Sequence, residues 1–134
     1  TSICDSGTSA GLTDLLGDNR LTLPAGGSGI INGNVTFGPG KDAVWIDSGQ
    51  INGAVQQGAG IDDFIMNGGQ IQSLAQGDGR DIFRMTGGTI VGAFEDGDVA
   101  QQTGGTIGRV DMKLDKNFYD MSGGVILGNL VTGF

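Results

Sequence analysis

The sequence has no histidine, one cysteine and only seven lysine and arginine residues among 134. Without histidine, a Ser/His/Asp or Cys/His catalytic set cannot form, and a zinc site built from cysteine and histidine is excluded as well. Because Cys4 is alone, the chain cannot form an internal disulfide bond. Few of the usual routes to catalysis remain, and we expect the chain not to be an enzyme.

Basic charge and long apolar runs are also scarce. The formal net charge is −8, from 15 acidic and 7 basic residues, and no cluster of lysine and arginine occurs. Phosphate binding needs such clusters, so we expect no nucleic-acid partner. No apolar run approaches the roughly 18 residues of a membrane-spanning helix, and the chain does not start with a signal-peptide pattern. We therefore expect no membrane span in these residues.

Glycine, by contrast, is abundant, and its 28 residues recur at regular places. A doublet of small residues is followed, two positions later, by isoleucine, and this pattern occurs six times. The second residue of the doublet lies at positions 29, 49, 69, 88, 105 and 124, in steps of 20, 20, 19, 17 and 19. A period of this size is typical of a solenoid, whose turns bury their apolar faces only by stacking on one another.

Alignment of the repeats reveals apolar columns. Two columns precede the doublet at a spacing of two residues, which is the strand period, and two follow it. We expect all of them to face inward as stacked ladders. Their members are Val44, Phe64, Phe83, Ala100 and Tyr119; Ile46, Met66, Met85, Gln102 and Met121; Ile31, Ile51, Ile71, Ile90, Ile107 and Ile126; and Val35, Val55, Leu74, Phe94, Val110 and Leu130. The pattern predicts an all-β chain folded as a parallel β-helix of about five coils.

The two ends of the chain depart from the repeat. Residues 1–28 lack it, and we predict that they form an N-terminal cap over the open edge of the first coil. Within the cap, Leu12, Leu15 and Leu16 predict one helical turn, and residues 21–23 predict a strand. Residues 29–134 contain the repeats, and the last repeat stops midway through a coil. We therefore expect the chain to be the first part of a longer protein.

A column of aspartates, Asp42, Asp62 and Asp81, follows glycine-rich turns and continues as Asp98 and Asn117. Stacked carboxylates repel one another, so either backbone N–H groups of the glycine turn bond each carboxylate or a cation bridges adjacent coils. The G-x-G-x-D pattern resembles the calcium-binding nonapeptide of RTX β-rolls, which would make the three aspartates calcium ligands. The period here is about twice as long, and the fifth repeat has Lys113, Lys116 and Asn117, which would oppose a cation. We favour backbone bonding and no cofactor, with calcium as the alternative.

Other polar residues have structural interpretations. A short polar residue precedes each doublet, and we expect these residues to bond the turn and to stack on one another. They are Asp47, Asn67, Thr86, Thr103 and Ser122. The densest charge cluster combines Glu95, Asp96 and Asp98 with Arg84 and Arg109 as potential neighbours on adjacent coils. It falls in the shortest repeat, which indicates a local kink more than a catalytic site.

Outward-facing positions supply the candidate binding residues. Strand alternation places Trp45, Ile65 and Arg84 in one outward column. Phe118 falls in a second outward column, together with Ala43, Asp63, Ile82 and Val99. Large apolar side chains in water are unusual in a pure scaffold, so Trp45, Ile65, Arg84 and Phe118 are candidate binding residues. Alternatively, Trp45 packs under the cap, or the register is shifted by one residue, which would turn every side chain over.

The pattern D-x-F-x-M-[ST]-G-G-x-I-x-G, present at 62–69, 81–92 and 117–128, resembles the passenger repeats of type V autotransporters of Gram-negative bacteria. The resemblance covers residues 29–134. It implies a right-handed parallel β-helix that is secreted or displayed on the cell surface, followed in the full-length chain by a C-terminal outer-membrane barrel. The expected function is that of an adhesin or virulence ligand that binds a host-cell surface protein or glycan. The alternatives are a non-binding spacer that projects a distal domain and a calcium-stabilised β-roll.

Overall fold

The computed structural model describes residues 2–113 and 117–131. Within these residues all regular elements are strands, and no helix occurs. The strands are β1 (Ser2–Ile3), β2 (Thr8–Asp14), β3 (Arg20–Leu23), β4 (Ile30–Phe37), β5 (Ala43–Ile46), β6 (Gln50–Gln56), β7 (Asp63–Met66), β8 (Gln70–Ala75), β9 (Ile82–Met85), β10 (Thr89–Glu95), β11 (Val99–Gln102), β12 (Thr106–Asp111), β13 (Phe118–Met121), β14 (Val125–Ile126) and β15 (Leu130–Val131).

The strands alternate between two parallel sheets. The odd-numbered strands β1 to β13 lie side by side in chain order and form the first sheet. The even-numbered strands β2 to β14 form the second sheet, in which β15 also pairs with β12. One odd strand and the even strand after it make one coil, so the described residues form about seven coils. The predicted all-β parallel solenoid is therefore confirmed, with about seven coils where five were expected.

The segment predicted as a cap supplies strands to the solenoid itself. Strand β1 pairs with β3 in the first sheet, and β2 pairs with β4 in the second, where Leu12 lies opposite Val35. The predicted helical turn is wrong, since Leu12 lies in a strand and Leu15 and Leu16 are exposed just after it. A segment without the glycine repeat can join the stack because parallel pairing uses backbone N–H and C=O groups.

The predicted apolar columns form the core in the predicted register. Phe64 lies opposite Phe83 on the neighbouring strand, with ring centroids 5.7 Å apart. Phe83 stacks in turn on Phe94 of the second sheet at 4.1 Å, so one aromatic stack joins the two sheets. Full burial of such a side chain contributes about 1.5–3 kcal/mol. In the last described coil the same columns are only half-buried or exposed, at Tyr119, Met121, Ile126 and Leu130.

The glycine doublets turn the chain from the first sheet into the second. In five of the six doublets the second residue is a glycine with a positive φ of 75° to 85°, at Gly49, Gly69, Gly88, Gly105 and Gly124, whereas Gly29 of the first doublet has no positive φ. A side chain there would be strained by this backbone conformation. It would also clash with the neighbouring coil, since a Cβ on Gly88 would lie 2.6 Å from the carbonyl oxygen of Gly68. Both constraints explain why glycine recurs at this point.

The short polar residues before the doublets stack as predicted over three coils. The side-chain amide of Asn67 donates a hydrogen bond to Oδ1 of Asp47 at 2.7 Å. The hydroxyl of Thr86 donates to Oδ1 of Asn67 at 2.6 Å. The side chains therefore tie successive coils together at the surface.

Candidate functional site

The outer face of the first sheet contains all four candidate binding residues. Trp45 lies opposite Ile65, and Ile65 opposite Arg84, so these three form one column across β5, β7 and β9. The column continues through Gln101 on β11 to Asp120 on β13. Trp45 is 42% exposed, Ile65 is half-buried and Arg84 is exposed. The register shift considered for Trp45 does not occur.

Phe118 lies in the second outward column, two residues before Asp120 on the same strand. It is 60% exposed and pairs with Val99, which in turn pairs with Ile82. The structure therefore brings Phe118 onto the same face as Arg84 but two coils further along the solenoid. Trp45 lies at the opposite end of this face, so the four candidates line the sheet and do not converge on one point.

Trp45 is held in place by the polar ladder beside it. Its indole N–H donates a hydrogen bond to Oδ1 of Asp47 at 3.0 Å, and the same oxygen accepts the bond from Asn67. Because the only polar atom of the ring is bonded within the protein, the exposed part of the ring is apolar. The side chain is thus an ordered apolar contact surface of the kind that serves as an anchor in protein interfaces.

A shallow groove of about 260 Å³ lies further along this face, over β9, β11 and β13. Its apolar row is Ile82, Val99 and Phe118, and its polar row is Arg84, Gln101 and Asp120. We call this site the outer groove. Gln101 and Asp120 were not among the predicted site residues. Extension of the Arg84 column by strand alternation would have found both.

The aspartate column lies inside the solenoid, at the start of the first-sheet strands. Asp42, Asp62 and Asp81 are fully buried. Oδ1 of Asp62 accepts a hydrogen bond from the backbone N–H of Asp42 at 3.0 Å, and Oδ1 of Asp81 accepts one from the N–H of Asp62 at 2.9 Å. Asn19 and Asp98 extend the series at its two ends. Backbone N–H groups bond the carboxyls as predicted, but the donors are Asn19 for Asp42 and the aspartate of the previous coil for the other carboxyls, and not glycines.

Burial changes the acidity of these carboxyl groups. Loss of hydration raises the pKa of Asp62 to about 7 and that of Asp81 to about 8, despite the backbone hydrogen bonds that lower both values. The charges of neighbouring aspartates raise them further. Burial also raises the pKa of Asp42, which two hydrogen bonds from Asn19 oppose. The second oxygens of Asp42, Asp62 and Asp81 are buried without a hydrogen-bond partner.

These properties bear on calcium as the alternative ligand of the column. Calcium binds ionised carboxylates, and burial here favours the neutral form. Within residues 2–113 and 117–131, no group of three or more acidic, cysteine or histidine side chains is arranged to hold a metal ion. Lys116, which we expected to oppose a cation, lies outside the described residues.

Two buried glutamines beside the aspartates were not identified from the sequence. Gln57 donates to the carbonyl oxygen of Asp63 at 2.7 Å, and Gln76 donates to that of Ile82 at 2.9 Å. Gln76 also donates to Oε1 of Gln57 at 3.1 Å, which joins adjacent coils. Both amides connect the end of a second-sheet strand to the start of the next first-sheet strand. Their spacing of 19 residues is the repeat period, and this was the available signal.

The charge cluster near the shortest repeat forms exposed ion pairs. Lys113 lies 3.3 Å from Glu95 and 3.4 Å from Asp96, and Arg109 lies 3.9 Å from Glu95. Arg84 is not near Arg109, since the two residues lie in different sheets. The expectation that these arginines are neighbours is therefore wrong. Each coil contributes one strand to each sheet, so residues of successive coils can lie in different sheets. Exposed pairs of this kind contribute little to stability.

Comparisons with known protein families, with curated proteins and with solved structures found no match. The described part of the chain contains no helix that is long and apolar enough to cross a membrane.

Proposed function

We propose that this chain is a β-helical binding module of an autotransporter passenger, secreted or displayed on the surface of a Gram-negative bacterium. In this proposal it acts as an adhesin or virulence ligand for a host-cell surface protein or glycan, and it has no enzymatic activity. A C-terminal outer-membrane barrel would follow in the full-length chain. The repeat pattern and the parallel solenoid support the passenger assignment.

One observation carries the binding role. Trp45 and Phe118 are exposed on the outer face of the first sheet, at 42% and 60%, and neither belongs to the buried apolar core. Exposed aromatic side chains do not stabilise the core, and they are the side chains that contribute most at binding surfaces. The indole of Trp45 is also ordered by Asp47, which lowers the entropy cost of binding.

Binding of the purified chain to cultured host cells tests this proposal. We expect saturable binding by protein whose far-ultraviolet circular dichroism shows a β-structure and whose thermal unfolding is cooperative. A folded protein that shows no binding to any host-cell line would contradict the proposal and favour a spacer. The same circular dichroism spectra identify an unfolded preparation, which is not used in the binding experiment.

A further inference from the structure

The outer groove has a regular two-row chemistry. Ile82, Val99 and Phe118 form the apolar row on successive strands of the first sheet. Arg84, Gln101 and Asp120 form a parallel polar row, two residues further along each strand. Both rows advance by one coil, or about 4.8 Å, per step. A ligand that runs along the solenoid axis therefore meets one apolar and one polar side chain in each coil.

We propose that the outer groove binds a neutral hexose oligosaccharide, with its chain parallel to the solenoid axis. This inference rests on the proposed binding function and specifies the class of its ligand. One sugar ring would lie over each coil.

The spacing of the apolar row favours a sugar chain. The C–H face of a hexose ring packs on apolar and aromatic side chains, and one ring has nearly the length of one coil step. An extended peptide places side chains on one face about 6.6–6.8 Å apart, so it loses register with the coils within two steps. Phe118, with 60% of its surface exposed, offers the largest stacking surface of the row.

The polar row favours hydroxyl groups as partners. The guanidinium of Arg84 only donates hydrogen bonds, the carboxylate of Asp120 only accepts them, and the amide of Gln101 does both. A sugar hydroxyl can donate and accept, so it can pair with each member of the row. The charges of Arg84 and Asp120 are opposite, and the net charge of the chain is −8. Both facts favour an uncharged ligand over an acidic glycan.

The extent of the rows gives an expected ligand length. One coil before Ile82 the apolar row is interrupted by Asp63, and Ile65 lies where the polar row would continue. The described groove therefore spans three coils. Affinity should rise steeply from one sugar ring to three and change little with longer chains.

Titration with defined sugars, followed by ¹H–¹⁵N correlation NMR, tests the inference. The probes are cellohexaose, laminarihexaose and mannohexaose, the shorter members of each series, and trigalacturonate as an acidic comparison. We expect at least one neutral series to shift the signals of β9, β11 and β13, including the side-chain amide of Gln101, with a Kd of about 1 mM or below. No shift by any neutral series at about 10 mM, or tighter binding of trigalacturonate, overturns the inference.

Variants separate the groove from non-specific binding. Phe118→Ala should weaken binding about three- to tenfold through lost stacking, and Gln101→Ala should weaken it as well. Val91→Ala is the matched control, because Val91 is 48% exposed but lies on β10 in the second sheet. Equal affinity of all three variants overturns the inference. Circular dichroism confirms that each variant is folded.

Failure of this inference can be distinguished from failure of the proposed function. If neither Phe118→Ala nor the neutral sugars reduce host-cell binding, the proposed binding function stands and the oligosaccharide inference is wrong. An extended peptide that shifts the same signals more strongly than any sugar would also exclude it. Sugar binding in the groove without host-cell binding would support the oligosaccharide inference and contradict the proposed adhesin function.

Discussion

The backbone N–H of Asp62 donates a hydrogen bond to Oδ1 of Asp81, one coil further on, at 2.9 Å. The same kind of bond joins Asp42 to Asp62 and Asp81 to Asp98, so a continuous series links the starts of four strands of the first sheet. The column would repel itself if every carboxyl were ionised. Burial lowers this repulsion by favouring the neutral form, and the solenoid can therefore stack aspartates without an intervening cation.

Stability should fall as the pH rises. The pKa values of Asp62 and Asp81, about 7 and about 8, lie above the value of 3.8 for an unperturbed aspartate. Between pH 3.8 and about pH 8, the folded chain binds more protons than the unfolded chain. The free energy of unfolding therefore decreases as the pH rises through this window. Urea unfolding at intervals from pH 4 to pH 9 would measure the slope, and rising stability across the window would contradict the account.

Asparagine variants test whether the aspartate column causes this pH dependence of stability. Asp62→Asn/Asp81→Asn keeps an oxygen that accepts the backbone N–H and removes both ionisations. We expect its stability to depend less on pH than that of the parent between about 5 and 8, since only Asp42 of the three keeps its ionisation, and its advantage over the parent to grow with pH. Asp63→Asn makes a similar charge change at an exposed site, and it should retain the parental slope.

Calcium should have almost no effect on thermal stability. The carboxyls already accept backbone hydrogen bonds, and their burial disfavours the ionised form that the cation needs. We expect the Tm to be the same, within a degree or two, in millimolar calcium and in chelator. A rise of several degrees with calcium that Asp62→Asn/Asp81→Asn abolishes would establish the calcium-stabilised alternative.

A charge inside the isoleucine column should unfold the chain. Ile90 has no exposed surface and stacks between Ile71 and Ile107. Ile90→Asp buries a carboxyl without partners and should cost about 4 kcal/mol or more, or prevent folding. Val91→Asp is the matched control, since the next residue points outward and is 48% exposed. Similar unfolding free energies for the two variants would refute the assigned register.

Gly88 should not accept a side chain. Its φ of +85° strains any other residue, and an added Cβ would lie 2.6 Å from a backbone oxygen of the neighbouring coil. Gly88→Ala should cost about 1–3 kcal/mol or more. Gly92→Ala is the milder comparison, because its φ is not positive and its nearest contact would be 3.0 Å. The measurement is the difference between the two Tm values, and equal values would show that the turn is not constrained as described.

Much of the fold could be predicted because each repeat contains two independent signals. The doublet sets the turn, and the two-residue spacing around it sets which side chains point inward. Phe83, Met85 and Ile90 are therefore placed by simple counting. The same counting put Trp45 and Arg84 in one outward column. The first coil could not be found in this way, because β1 and β2 join the sheets through backbone pairing without the doublet.

The buried polar residues were harder to predict. Gln57 and Gln76 look like surface residues in the sequence, since amide side chains are seldom fully buried. Their amides donate to backbone carbonyl groups at the start of the next first-sheet strand, Asp63 and Ile82, and these contacts between distant parts of a coil are not visible in the sequence. The outer groove was also missed as a unit, because the Arg84 column was not extended to Gln101 and Asp120, although the repeat spacing places both beside the predicted Ile82, Val99 and Phe118 column.

Comparison of variants in host-cell binding tests the central claim, which is that the outer face of the first sheet is the binding surface. Trp45→Ala/Phe118→Ala removes the two aromatic candidates of the outer face, and Val91→Ala removes an exposed apolar side chain from the second sheet. All proteins are compared at equal concentration after circular dichroism has shown that they are folded. The account predicts at least about a tenfold loss of cell binding for the double variant and parental binding for Val91→Ala. Parental binding by the double variant would contradict it.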